Sequence, residues 1–200
     1  MDIILVGVSS IFTISAYVIY FKQTNEHSIS PNRWSWLVWG IATILETLTY
    51  SEISDDFWKV ITFYISSISC ILLTLLIWKR SKWIKPDWTE VVSVTLSFIA
   101  IFIWLAFGYT LIAHYVLLVS LPIAFIPTYK DAYINYHRED SNAWLFWSIS
   151  DFLILILVLT RLNTINELPY ILIEFLCHIA TFLIVIVRKK SYNKKISNSN

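Results

Sequence analysis

The sequence predicts an all-α membrane protein: seven transmembrane helices, arranged as two parallel repeats of three helices with a linker helix between them. Three observations predict this class. The 200 residues are 57% hydrophobic and only 14% charged, where a soluble domain carries roughly a quarter charged residues. The apolar residues gather into long runs, and the mean hydropathy is +0.65. The chain also matches itself when shifted by 108 residues.

Runs of about 18 or more apolar residues with few charges are membrane-span candidates, and seven fall at roughly 3–21, 34–50, 57–78, 89–107, 109–129, 143–160 and 168–187. The first opens with "MDIILVG", which lacks the basic start of a secretory signal, so it is retained as helix one. The second follows Arg33. The third follows "SDDF", whose acids suit the positive end of a helix dipole. The fourth opens with "KPDWTE", where Asp87 as N-cap and Glu90 three residues on form a capping box. Gly108-Tyr109 separates it from the fifth, which holds Pro122 and Pro127. A proline removes one backbone hydrogen bond from a helix, so these two are the candidate hinge. The sixth begins in "SNAWLFWSISDF" and the seventh after "NELP". The expected organisation is a first repeat over 1–80, a linker helix over 81–108, a second repeat over 109–188 and a basic polar tail over 189–200. Cys70 and Cys177 both fall inside apolar runs, as small packing residues rather than a disulfide.

Charge sets the orientation. Alternate loops hold Lys22 and Arg33; Lys79, Arg80, Lys82 and Lys85; Lys130 and Arg138; and Arg188, Lys189, Lys190, Lys194 and Lys195. That is thirteen of the fifteen basic residues, with only Lys59 and Arg161 on the other side. Lys and Arg concentrate in cytoplasmic loops, so the N-terminus is expected outside and the C-terminus in the cytoplasm of a cell (inner) membrane.

Under the 108-residue shift, Ala16 falls on Ala124, Lys22 on Lys130, Trp36 on Trp144, Leu37 on Leu145, Trp39 on Trp147 and Arg80 on Arg188. Aliphatic matches arise by chance between apolar helices; a Trp-Leu-x-Trp element at one phase of helices two and six does not. An odd linker helix gives both copies the same orientation, a parallel repeat about the membrane normal. With these features the chain resembles the PQ-loop superfamily, which includes the SWEET sugar transporters, and PnuC-type vitamin transporters share the architecture. The family's Pro-Gln motif appears as Pro127-Thr128 in one copy and is replaced by Ile19-Tyr20 in the other. The Asn pair of sugar-transporting relatives has no counterpart in 57–78 or 168–187. The resemblance therefore implies a transporter without implying a sugar.

The polar residues inside the runs are the candidate site. At 100° per residue Trp36, Trp39, Thr43 and Glu46 share an arc of roughly 80°. Trp144, Trp147 and Asp151 occupy the matching face of helix six. Helix three offers Ser66 and Cys70 one turn apart, and helix seven offers Glu174 and His178 at the equivalent places. The expected solute-binding set is Trp39, Trp147, Asp151, Glu46, Glu174, His178, Ser66 and Cys70. A charge at the centre of a membrane helix costs about 2.5–3.5 kcal/mol on insertion scales, so the acids must be protonated, paired or in a wet cavity. Glu174 has His178 one turn away as a partner. Trp34, Trp36 and Trp144 stand where an interfacial aromatic belt is expected, and His114 is expected at the outer interface.

There is no H-E-x-x-H, no G-x-S-x-G and no Gly-rich phosphate loop, and helix seven has no lysine for a retinal Schiff base. An enzyme is not expected, nor are a cofactor, a metal or a nucleic-acid partner. The expected partners are a small-molecule solute and the lipid bilayer, with a homo-oligomer compatible. The function this predicts is alternating-access transport of a small polar or cationic solute, with proton linkage open to the acids. The alternative is a non-transporting accessory, receptor or pore-forming subunit; a membrane enzyme has only the Glu174/His178 pair behind it.

Overall fold

The computed structural model describes residues 2–81 and 85–197, the side chains of 193–197 excepted. Among the described residues seven long helices follow one another: α1 (Asp2–Asn25), α2 (Arg33–Ile53), α3 (Phe57–Arg80), α4 (Trp88–Phe107), α5 (Thr110–Ile134), α6 (Ser141–Thr160) and α7 (Leu168–Ser197). Short 3-10 turns precede α6 and α7. Each expected run is a helix. The capping box predicted at Asp87 and Glu90 opens α4, and Gly108, at φ 67°, closes it in the left-handed conformation that glycine adopts without strain. α5 continues through both Pro122 and Pro127. Much of the expected polar tail is helical, because α7 runs on to Ser197. Lys82 and residues 198–200 of that tail lie outside the described residues.

Six of the seven helices are long and apolar enough to cross a membrane, which makes this an integral membrane protein of several spans. α2 falls short on apolarity, and its surroundings explain why. It packs against α3, α4 and α5, and twelve of its 21 residues are buried, so protein rather than lipid covers most of it. Lipid-facing helices instead expose large apolar side chains, among them Ile4 and Ile11 on α1, Leu75 on α3, and Phe102 and Leu105 on α4.

α1 packs between α3 and α6, and α5 between α4, α2 and α7, while α2 pairs with α3 and α6 with α7. α4 lies against α5 through buried Ser93, Ser97 and Ala100, small residues that let membrane helices approach closely. The two ends of the bundle are chemically distinct. At the basic end Arg80 donates to Asn25 Oδ1 (2.9 Å), Arg138 to the Ser30 carbonyl (2.9 Å) and Arg188 to the Tyr133 carbonyl (2.7 Å). At the acidic end Arg161 pairs with Asp2 and with Asp56, and Glu52 accepts from Trp104 and Thr110.

Candidate functional site

The middle of the bundle encloses a cavity of about 50 Å³ between α1, α2, α3, α6 and α7, with Phe125 of α5 in its wall. That is room for a few water molecules. Trp39, Ser66, Cys70, Trp147, Asp151, Glu174 and His178, seven of the eight residues picked from the sequence, line it. Local structure sets their phase. Asp140 caps α6 by accepting from the Ala143 amide at 2.7 Å, and the i, i+3, i+7 spacing of Trp144, Trp147 and Asp151 puts them on one face of that helix. Ser150, beside Asp151, meets Ser9 (2.9 Å) and Thr13 (2.6 Å) and so fixes α6 against α1.

His178 is the centre of an ionisable triad. Its Nδ1 lies 2.5 Å from Asp151 Oδ2, and its Nε2 lies 3.5 Å from Glu174 Oε2. A neutral imidazole has one N–H and can donate to one carboxylate; an imidazolium donates to both. The sequence pairs His178 with Glu174 on its own helix, whereas Asp151 across the α6–α7 interface is the nearer partner. Asp151, His178 and Glu174 keep 16%, 14% and 13% of their side-chain surface accessible, so the triad meets the cavity and is not sealed in packing.

Four tryptophans form the cavity wall towards the basic end. Trp36 and Trp39 lie 5.0 Å apart, as do Trp144 and Trp147, and the crosswise pairs Trp39–Trp144 and Trp36–Trp147 are both at 6.0 Å. Trp147 stacks on His178 at 5.7 Å with 25° between the planes. Tyr17 packs edge-on to Trp147 at 5.1 Å, and Phe125 against Trp39 at 4.7 Å. Trp36 and Trp144, expected in an interfacial belt, are 3% and 1% exposed, because they turn inward against Tyr20 and each other's helices. The indole N–H groups of Trp39 and Trp147 are buried and have no hydrogen-bond partner.

Glu46 stands apart from the cavity. At the edge of its arc, roughly 80° round from Trp36, it meets α5, and Oε1 lies 2.7 Å from Nδ1 of His114 with both side chains fully buried. His114 is therefore an interior residue and not the interfacial one expected. The packing of α5 on α2 turns it inward, where it meets the acid that would otherwise stand alone.

Two further groups escaped the sequence reading. Towards the basic end, Glu139 is buried and its Oε2 accepts from Tyr20 Oη (2.7 Å) and from Trp144 Nε1 (3.0 Å). Burial pushes its carboxyl up to about 7, partly offset by those two donors. In the sequence it sits in the polar stretch "HREDSN", where nothing distinguishes it from a solvated acid. Towards the acidic end, Lys59 Nζ donates to Glu167 Oε2 (2.6 Å) and to the Arg161 carbonyl (2.5 Å), and the Lys59 and Glu167 side chains are fully buried. The signal that could have found this pair is their spacing of 108 residues, the same shift that lays Trp36 on Trp144 in the sequence.

Among the described residues no group of three or more His, Cys, Asp or Glu is arranged to hold a metal ion. Comparison with protein-family models, with curated proteins and with solved structures gave no match.

Proposed function

We propose that this protein is a transporter that carries a small polar or cationic solute across the membrane by alternating access, its two three-helix halves rocking about the shared cavity. One observation carries the reading: within a bundle whose outer surface is apolar, the helices converge two carboxylates, an imidazole and a tryptophan quartet on one central cavity. Ionisable side chains at membrane depth are costly to keep, and those that line a cavity mark solute or proton pathways by default.

The two-half arrangement is supported by the packing. Exchanging α1, α2 and α3 for α5, α6 and α7 turns the main neighbour pairs among these six helices into one another: α1–α3 into α5–α7, α2–α3 into α6–α7, and α1–α6 into α5–α2; α4 packs on α5 and α2 and stands outside the exchange. The crosswise tryptophan distances are equal, and Tyr17 on Trp147 corresponds to Phe125 on Trp39. Lys59 and Glu167 occupy equivalent positions and bond to each other; so do Ser30 and Arg138, whose backbone N–H and carbonyl meet at 3.3 Å. Residues that meet their own equivalents lie on a pseudo-two-fold axis. That axis would run from Ser30/Arg138 through the tryptophans to Lys59/Glu167. The basic end faces the cytoplasm by the charge bias, and the arrangement is the one that the resemblance to the SWEET-like superfamily implies.

The test is a thermal-shift screen of purified protein against small metabolites at two pH values, followed by uptake of each hit into proteoliposomes. A solute that stabilises the protein and is accumulated, with both effects lost in Asp151→Asn, supports the reading. Stabilising solutes that never cross the bilayer would replace it with a receptor or accessory role. The small cavity volume and the three glycines of the chain favour that second reading, which further expects the protein to purify in a complex.

A further inference from the structure

We infer that the cavity binds a small organic ammonium cation that also carries an oxygen acceptor, its charge held by the Asp151–His178–Glu174 triad and its oxygen by the indole N–H groups of Trp39 and Trp147. The inference rests on the transport reading and names its substrate class.

Charge is the first ground. Asp151 and Glu174 line the cavity, no Lys or Arg does, and His178 stands between the two acids. With both acids ionised, a protonated imidazole leaves the triad one negative charge in excess and a neutral one leaves two; with one acid protonated, a neutral imidazole leaves an excess of one and an imidazolium none. A cation entering the cavity removes that excess, an anion adds to it and a neutral solute leaves it in place. The walls are the second ground. Trp36, Trp39, Trp144, Trp147, Tyr17 and Phe125 surround the same space, and an ammonium is attracted to such ring faces, most of all to tryptophan.

The third ground is independent of the acids. Trp39 and Trp147 are 6% and 4% exposed, and their N–H donors have no partner, although buried donors are nearly always satisfied. Of the hydroxyls that line the cavity, Ser9, Thr13 and Ser150 bond among themselves, and the buried Thr43 hydroxyl, itself without a partner, bonds to neither indole. Two unused donors call for an acceptor on the ligand. In this cavity, where only a few waters fit, the ligand has few heavy atoms or the halves part to admit it.

The experiment uses the unmodified full chain in lipid nanodiscs and matched probes differing in charge: choline against 3,3-dimethyl-1-butanol, ethanolamine against ethylene glycol, and acetate as the anion. Titration calorimetry is expected to show the charged member of each pair binding at least about tenfold tighter. Asp151→Asn and, separately, Glu174→Gln should each weaken that binding by at least about tenfold. The inference is overturned if the neutral members bind as tightly, if acetate binds and the amines do not, or if neither amine binds. The paired comparison needs no variant, so it survives a substitution that fails to fold. Uptake separates the two claims. Accumulation of a neutral solute or an anion keeps the transport reading and removes the cation; amine binding without uptake keeps the cation and removes transport.

Discussion

A lysine with no solvent around it needs its partner more than an exposed one does, and Lys59 and Glu167 have no exposed surface at all. Removing one member of such a pair leaves the other charge buried without compensation, which costs about 3–5 kcal/mol. Lys59→Met is therefore expected to lower unfolding stability in detergent by about that much, with most of the loss recovered when Glu167→Gln is added. If the two positions are equivalent, as the proposed two-half arrangement has them, exchanging the charges (Lys59→Glu with Glu167→Lys) should restore more stability than either single change retains. A swap no better than the singles would count against the pseudo-two-fold axis. At this scale the sequence made the cavity residues legible because a polar side chain in an apolar run is conspicuous. It hid Glu139 and Lys59, which stand near helix ends where charge is ordinary, and it missed His114 as the partner of Glu46 and Asp151 as the nearer partner of His178, because each of those contacts joins two helices.

Helices were the most legible level, since span length and end signals are local. Asp87 with Glu90, and Asp56, whose side chain accepts from the Trp58 amide at 3.0 Å, open their helices as the sequence suggests. Closeness between helices was not legible. Gly40 on α2 is a case: a Cβ built there would lie 2.9 Å from Thr74 Oγ1 and 3.3 Å from its Cβ. Thr74 cannot rotate away freely, because its hydroxyl donates to the Trp36 carbonyl at 2.9 Å. Gly40→Ala should thus destabilise the α2–α3 contact by about 1–3 kcal/mol, and Thr74→Ala in the same chain should recover part of it; thermal unfolding of the two variants decides. A second element-level device is the clasp of Glu139 on α1 and α6. Burial raises its carboxyl from 4.5 to about 7, so between those values the folded chain binds a proton that the unfolded chain has released. Stability from this group is then full below about 4.5 and falls as pH rises towards about 7, by a few kcal/mol at about 1.4 kcal/mol per pH unit. Glu139→Gln keeps an oxygen to accept from Tyr20 and Trp144 and loses the proton. Its stability should be flatter across that window. An unchanged slope would show that Glu139 does not titrate there.

For the whole molecule, the cavity is closed differently at its two ends. Towards the basic end stand four tryptophans and Tyr20, with Glu139 behind Tyr20 and Trp144; towards the acidic end the Lys59–Glu167 pair spans α3 and the α6–α7 connection. Parting the aromatic layer separates many ring contacts at once, while parting the other end breaks mainly polar bonds that water can replace: the Lys59–Glu167 pair, the Arg161 carbonyl bond, the Arg161 pairs with Asp2 and Asp56, and beside them the Phe63–Tyr170 ring contact. If the halves rock about the proposed axis, the motion should therefore begin at the acidic end. Ser66 lines the cavity and is only part-buried, so Ser66→Cys, in a chain with Cys70→Ala and Cys177→Ala, reports which side admits a membrane-impermeant thiol reagent. In sealed vesicles of known orientation the reagent is expected to react faster from the acidic face. Lys59→Met should speed that reaction, and Trp36→Ala with Trp144→Ala should open the basic face instead. Faster reaction from the basic face in the parent chain would reverse the order of the two closures. Labelling that neither substitution changes would mean that neither end is a gate, and the bundle would then be a fixed scaffold around its triad.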